Sequence, residues 1–295
     1  MSSIRKGLPA GEALRQLMRR ALKGVSDDLS AALDGSGVHP ARKRLKLGRS
    51  LLRMMGPALG EELFRREDAC LRGASHALAD LRRTEAMVEA VYKLGSDKQA
   101  ESAGLVAALA DAVRDMQVST TDGTNLTERI AAALGEVEGL RGRLADWPLP
   151  KRDIRLFVAG MTASYARGRK KLRQGLEQSE VTLLHEARQS IIHHYHHLDL
   201  VKPLWPKLFA VWLAELQDLR EALSDLNDLD ELEQLLENGE IALPDPTILA
   251  SAAELIAARR QGLINTIGKD TGHLFAESPK SFAARMAALW EQWQA

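Results

Sequence analysis

The sequence is short of cysteine, of aromatic rings and of long apolar runs, and each shortage removes a class of protein. Cys70 is the one cysteine, so no internal disulfide can form and the chain suits a reducing compartment. Phe, Trp and Tyr make up 4% of residues, too few to lay out the stacking platforms of a single-stranded nucleic-acid binder. No apolar run approaches the ~20 residues of a membrane span. The stretch "MSSIRKGLPAGEALRQL" at 1–17 has no apolar core of the kind a secretory signal needs. A soluble, cytoplasmic protein is expected. Neither a Gly-x-Ser-x-Gly elbow nor a glycine-rich phosphate loop ending in Lys-Ser or Lys-Thr occurs, so no enzyme is expected and no cofactor is implied. Charge of either sign is also missing from the total: 40 basic side chains meet 40 acidic ones. That balance argues against a generic sponge for nucleic acid or membrane, but it does not govern local fields.

What is present is a helix-forming vocabulary of Ala, Leu, Arg, Glu and Gln, with apolar residues recurring at steps of three and four and no convincing strand alternation. Helices are predicted at roughly 9–33, 40–56, 60–94, 97–115, 125–146, 152–177, 180–199, 205–238, 246–269 and 279–294. "DWPLP" at 146–150 is the best domain boundary, dividing the chain into 1–147 and 148–295. The halves resemble each other. "VHPAR" at 38–42 returns as "LHEAR" at 184–188, and "LADLRRTEAMVEAV" at 78–91 is echoed by "LSDLNDLDELEQLL" at 223–236, offsets of 146 and 145. An internal duplication of a helical bundle is the economical explanation.

One absence is local. "VHPARKRLKLGRSLLRMM", residues 38–55, holds six Lys or Arg and one His but no carboxylate. On a helix, His39, Arg42, Lys46, Arg49 and Arg53 fall within an arc of roughly 80°, a stripe about 21 Å long, while Leu45, Leu47, Leu51, Leu52, Met54 and Met55 take the other side. Three explanations compete. The stripe could be a solvated face, although such faces usually mix signs, and Arg42–Lys46 and Arg49–Arg53 repel at i,i+4. It could be covered by the acidic stretch 215–240, which has ten Asp or Glu against one Arg. Or it serves an external anion.

"IIHHYHHLD" at 191–199 raises a metal hypothesis, since His193–His197 and His194–His197 have chelating spacings, but no partner motif completes a site. The alternatives are packing near Tyr195 and Trp205, or charge gained toward an anion as pH falls. His39 and His185, at matched repeat positions, are better candidates for ligand contact, or else hydrogen-bond donors near helix starts. Cys70, inside a helix, is expected to be packed.

"VHPARKRLKLGRSLLRMM" and "LHEARQSIIHHYHHLDLVKPLWP" resemble the paired signature helices of the CHAD family, the conserved-histidine α-helical domains. "IRKGLPAGEALRQL", "LADLRRTEAMVEAV", "ALSDLNDLDEL" and "FAESPKSFAARMAALW" resemble further segments of that family in the right order. The resemblance implies an all-α fold of two antiparallel four-helix bundles related by a pseudo-two-fold, with a basic surface or pore between them. It implies non-catalytic binding of inorganic polyphosphate, with attachment to polyphosphate granules. Some relatives are fused to a tunnel-shaped triphosphatase domain, whose Glu-x-Glu-x-Lys strand is absent here.

Carried over to this chain, the resemblance names His39, Arg42, Lys43, Lys46, Arg49 and Arg53 from the first half, with Arg65, Arg66 and Arg72 as candidates for the same surface. From the second half it names Arg167, Arg169, Lys170, Arg173, His185 and Arg188. The chain departs from the family pattern at Gln189 and Ile192, where further basic residues are expected, at Asp199, which adds a negative charge near the helix end, and at Arg83, where an acidic residue is typical. The second half is therefore expected to be the weaker binding surface. Rival readings are a nucleic-acid binder, a protein–protein adaptor using the same cations, and a metal-dependent phosphohydrolase that would need carboxylates beside the histidines.

Overall fold

The computed structural model describes residues 3–31, 37–78, 83–95, 103–118, 123–150, 155–241, 243 and 245–295. Among these, all regular structure is helical: α1 (Ala10–Ser30), α2 (Val38–Leu59), α3 (Glu61–Ala77), α4 (Arg83–Leu94), α5 (Ala103–Val118), α6 (Gly123–Arg143), α7 (Arg155–Gln178), α8 (Val181–Val201), α9 (Pro206–Glu237), α10 (Pro246–Leu274) and α11 (Pro279–Gln294). Local chemistry sets many of the boundaries. Proline stands in the first turn of α9, α10 and α11, where its missing N–H costs nothing. Asp245 and Ser278 cap the last two helices, their side-chain oxygens accepting from Thr247 N at 2.8 Å and Ser281 N at 3.1 Å. Gly60, at φ 76°, turns the chain directly from α2 into α3.

The 3.6-residue periodicity finds its partners. On α1 the buried residues include Leu14, Leu17, Met18, Ala21, Leu22, Val25 and Leu29, a single apolar face. α1 packs on α2, α2 on α3, and α6 closes against both α1 and α3. In the second half α7 packs on α8, α8 on α9 and α9 on α10, with α11 against α7. α4 and α5 pair with each other and lie on α9 and α10. α2 also packs on α7 and α8, so one apolar core runs through both halves. The α2–α7 crossing is close: a Cβ on Gly160 would lie 2.2 Å from the Met54 carbonyl oxygen.

One expected element is overturned. The helix predicted over 60–94 ends at Ala77, and a second one begins at Arg83; the departure noted at Arg83 lies at a residue whose side chain is not described. The reason is a cap that no local residue supplies. Arg129 Nε donates to the Ala77 carbonyl at 2.7 Å, and Arg42 Nη1 to the Leu78 carbonyl at 2.6 Å. Two guanidinium groups thus take carbonyls at the end of α3, Leu78 is fully buried, and the next helix, α4, packs on α5 and α9. In α9 the corresponding stretch is one unbroken helix, as predicted.

Candidate functional site

α2 buries Val38, Ala41, Leu45, Gly48, Ser50, Leu51, Leu52, Met54, Met55 and Leu59. What remains accessible includes the predicted stripe, and along it the cations gather into two groups. Toward the C-terminal end, Arg49, Arg53 and, from α3, Arg72 converge on one buried carboxylate. Asp68 lies 3.6 Å from Arg49 Nε, 3.5 Å from Arg53 Nη2 and 3.3 Å from Arg72 Nε. These are long for hydrogen bonds, and three positive charges share one negative charge. Arg53 also stacks over the Phe64 ring at 5.1 Å. Burial pushes its pKa down; Asp68 opposes this, while Arg167 of α7, Arg49 and Arg72 add to it.

Nearer the start of α2, Lys46 faces Arg188 of α8, Arg42 and Arg220 of α9. Its pKa is lowered to about 8, first by burial and then by these three cations, with Asp228 pulling the other way. The residue nonetheless exposes part of its surface to solvent. Arg188 donates to Ser224 Oγ at 3.0 Å, and burial lowers its pKa against the pull of Asp228. Arg220 sits 4.4 Å over the Tyr195 ring.

Between the two groups α2 meets the histidines of α8. Ser50 Oγ donates to the Lys46 carbonyl at 2.8 Å and lies 2.9 Å from His193 Nδ1. His197 Nε2 donates to the Ser50 carbonyl at 2.7 Å. His194 packs edge-on to Tyr165 and Phe282, with ring centroids 5.3 and 5.4 Å apart. Burial drives His193 well below its ordinary pKa, His194 and His196 to about 3, and His197 to about 4. All four stay neutral at physiological pH, which tells against the alternative in which this cluster adds charge as pH falls. Packing and hydrogen bonding is the alternative the structure bears out. Among the described residues no group of three or more His, Cys, Asp or Glu could hold a metal ion.

Below Ser50 a cleft opens between four helices. Its walls are Arg53, Gly56 and Pro57 of α2, Phe64 of α3, Ala163, Ser164 and Arg167 of α7, and Ser190 and His193 of α8, with Gly60 and Glu61 at one end. Arg42, Lys46, Arg49, Arg53, Arg72, Arg167 and Arg188 therefore lie along or beside one face of α2. His39 is exposed at the start of that helix, and Lys170 is exposed one turn beyond Arg167.

The other candidates are placed elsewhere. Lys43 shares a second groove, between α1 and α2, with Arg20 and Arg44. Arg65 pairs with Glu61 on its own helix. Arg66 donates to buried Glu67, which Arg143 of α6 also holds at 2.7 Å. Arg169 donates to the Phe275 carbonyl at 2.9 Å, and Arg173 shares that face of α7, its charge reaching Tyr165. His185 approaches Asp230 to 2.7 Å, beside Arg260. Part of the acidic helix reaches the stripe, the Asp228 charge acting on Lys46 and Arg188 and that of Glu231 on Arg188, and part of it pairs elsewhere. Asp225 goes to Lys93, Asp230 to His185 and Arg260, and Glu233 to Arg260. Asp199, one of the departures, pairs with Lys202 at 2.8 Å. Cys70 is partly buried, and burial together with Glu136 raises its thiol pKa, so it is not an activated nucleophile.

Sequence reasoning missed Arg220 and Ser50. Arg220 had a signal, being the one basic residue among ten acids in 215–240. Ser50 had none, since its role depends on α8 crossing α2 at that turn. No helix among the described residues is long and apolar enough to cross a membrane. Comparison with known families matches the CHAD domain to residues 10–237. Comparison with curated proteins finds no match.

Proposed function

The chain belongs to the CHAD domain family, and from that premise we propose that it binds inorganic polyphosphate, without catalysis, along the cationic face of α2. The observation that carries this is the convergence of cations on the face. One carboxylate, Asp68, is shared by Arg49, Arg53 and Arg72, and Lys46 feels Arg42, Arg188 and Arg220 against the single pull of Asp228. A fold that keeps like charges this close gains when a polyanion arrives. Polyphosphate offers oxygens on every unit and no bases to read. Arginine forks can grip two oxygens each, and lysine supplies a mobile point charge. Attachment to cytoplasmic polyphosphate granules follows from the same surface.

We also read the two halves as repeats. Beyond the sequence offsets, Arg42 reaches Leu78 and Arg188 reaches Ser224, the same span of 36 residues in each half. At that offset the basic residues Lys46 and Arg53 have become Ile192 and Asp199. The binding face therefore belongs mainly to α2, and the second half lends Arg167, Arg188 and Arg220.

Competition tests the proposal: labelled long-chain polyphosphate against RNA of matched charge, at two salt concentrations. Binding should weaken steeply with salt through counterion release, with polyphosphate keeping its advantage at the higher concentration. Equal competition by RNA, or no binding, would overturn the proposal.

Lys46 gives a second prediction. Its pKa is about 8 in the free protein and should rise when an anion covers it, so binding near pH 8 takes up protons. Affinity is then greatest below pH 8 and falls as pH rises through that value. Calorimetry in two buffers of different ionisation enthalpy measures the uptake, and Lys46→Met should remove it. Because the folded pKa lies below the unfolded value of 10.5, the unfolded chain binds more protons between about pH 8 and 10.5. The group's penalty on folding is thus full below pH 8 and relieved as pH climbs. Lys46→Met should accordingly raise the melting temperature at pH 7 while weakening binding.

A further inference from the structure

Within the row of cations one group can only accept. Ser50 Oγ has a single hydrogen and gives it to the Lys46 carbonyl, so it receives a hydrogen from His193 Nδ1. A neutral imidazole with its hydrogen on Nδ1 presents a bare lone pair at Nε2. His193 is 6% exposed and forms part of the wall of the cleft that also holds Arg53, Arg167, Ser164 and Ser190. Among the described residues no hydrogen bond to its Nε2 is found beside the one at Nδ1.

That lone pair is ill suited to the inner units of polyphosphate, whose free oxygens carry no hydrogen at neutral pH and would meet it as acceptor against acceptor. The end unit differs. A terminal phosphate has a second ionisation near that of a phosphate monoester, with a pKa of about 6, and below that pH it keeps a P–OH. We propose that the cleft between α2, α7 and α8 takes the terminal phosphate of the chain, His193 Nε2 accepting the hydrogen bond from its P–OH while Arg53 and Arg167 hold the charged oxygens. This rests on the polyphosphate reading and adds polarity to it: the chain end sits in the cleft and the inner units run along α2 toward Lys46 and Arg42.

The groups facing His193 are Arg49 and Arg53 of α2, Glu61 of α3, Arg167 of α7, and His196 and His197 of α8. The arginines keep their charge across the useful pH range, and the buried histidines stay neutral, as His193 does. Titration of the ligand's end therefore dominates any difference between a linear and a cyclic phosphate.

The test compares linear tripolyphosphate with cyclic trimetaphosphate, which has no end, between pH 5.5 and 8, with long-chain polyphosphate as the control. Charge alone predicts that the preference for the linear form grows with pH, because its ends gain charge and the ring does not. Recognition of P–OH predicts the opposite, a preference that falls several-fold over the range. His193→Leu should restore the growing trend. Nitrogen chemical shifts of the His193 ring provide a check that needs no variant, with Nε2 unprotonated in the free protein. A linear preference that rises with pH in the wild type, or an Nε2 that carries the hydrogen, overturns the chain-end assignment and leaves long-chain binding intact. Failure of long-chain polyphosphate itself to bind overturns the reading beneath it as well.

Discussion

Replacing Arg49 and Arg53 by glutamine, with Asp68→Asn in the same chain, should lower polyphosphate affinity about a thousandfold, two charge-assisted contacts at ~2 kcal/mol each. The third substitution is what makes the experiment interpretable. Asp68 is 5% exposed and is held by Arg49, Arg53 and Arg72. Removing two of its three partners alone would leave the buried carboxylate to Arg72, and breaking buried pairs in this way costs up to about 3–5 kcal/mol of stability. Taking the carboxylate away with its partners leaves amides of similar size that can bond one another, so helicity and melting temperature should stay near the wild type. Reversing charge at Arg49 would instead set a new carboxylate beside Asp68 and confound binding with folding. Asp68→Asn alone carries the opposite sign. It removes the internal anion that competes with the ligand, so binding should tighten while the free protein melts earlier under the repulsion of three uncompensated arginines. Affinity titrations and circular dichroism on these two variants separate the roles. A triple variant that binds like the wild type would remove α2 from the site.

The stripe on α2 could be read from the chain because a helix imposes its own geometry: steps of three and four put Arg42, Lys46, Arg49 and Arg53 in one arc wherever the helix goes. The family resemblance was legible for a related reason, since it lay in the order of several amphipathic segments. What single-helix periodicity cannot supply is the neighbour. Lys43 is one position from Arg42, about 100° round the helix, and ends in the groove with Arg20 and Arg44. Arg169 has the composition of a ligand contact, yet the α10–α11 turn offers it the Phe275 carbonyl. His185 matches His39 in the repeat, but Asp230 and Arg260 occupy its surroundings. The end of α3 was hidden for the same reason: "HALADLRRTE" at 76–85 has neither Gly nor Pro, and the arginines that cap α3 come from positions 42 and 129.

Gly160→Ala should be the most damaging single methyl in the protein's central crossing. The added Cβ would sit 2.2 Å from the Met54 carbonyl oxygen, 2.5 Å from Met54 Cα and 2.7 Å from its carbonyl carbon. All three atoms belong to the backbone of α2, so no rotamer change relieves the clash. The helices must part by more than an ångström, opening a core in which Met54 and Met55 are fully buried. Overpacking typically costs 1–3 kcal/mol and occasionally more; with backbone against backbone, about 3 kcal/mol or more is expected, a fall in melting temperature of roughly 10 °C for a domain of this size. Binding should suffer too, because Gly160 lies seven residues before Arg167 on α7, and Met54 is next to Arg53 on α2. Parting those helices pulls one wall of the cleft from the other. Gly262→Ala on α10 is the control: nothing lies within 4 Å of its added Cβ, and alanine at an open helical position should stabilise by about 0.5–1 kcal/mol. Thermal melts of the two variants, with polyphosphate titrations alongside, should diverge in sign for stability and show weakened binding only for Gly160→Ala. If Gly160→Ala melts like the wild type, the close approach of α2 and α7 is not what holds the two halves of the site together.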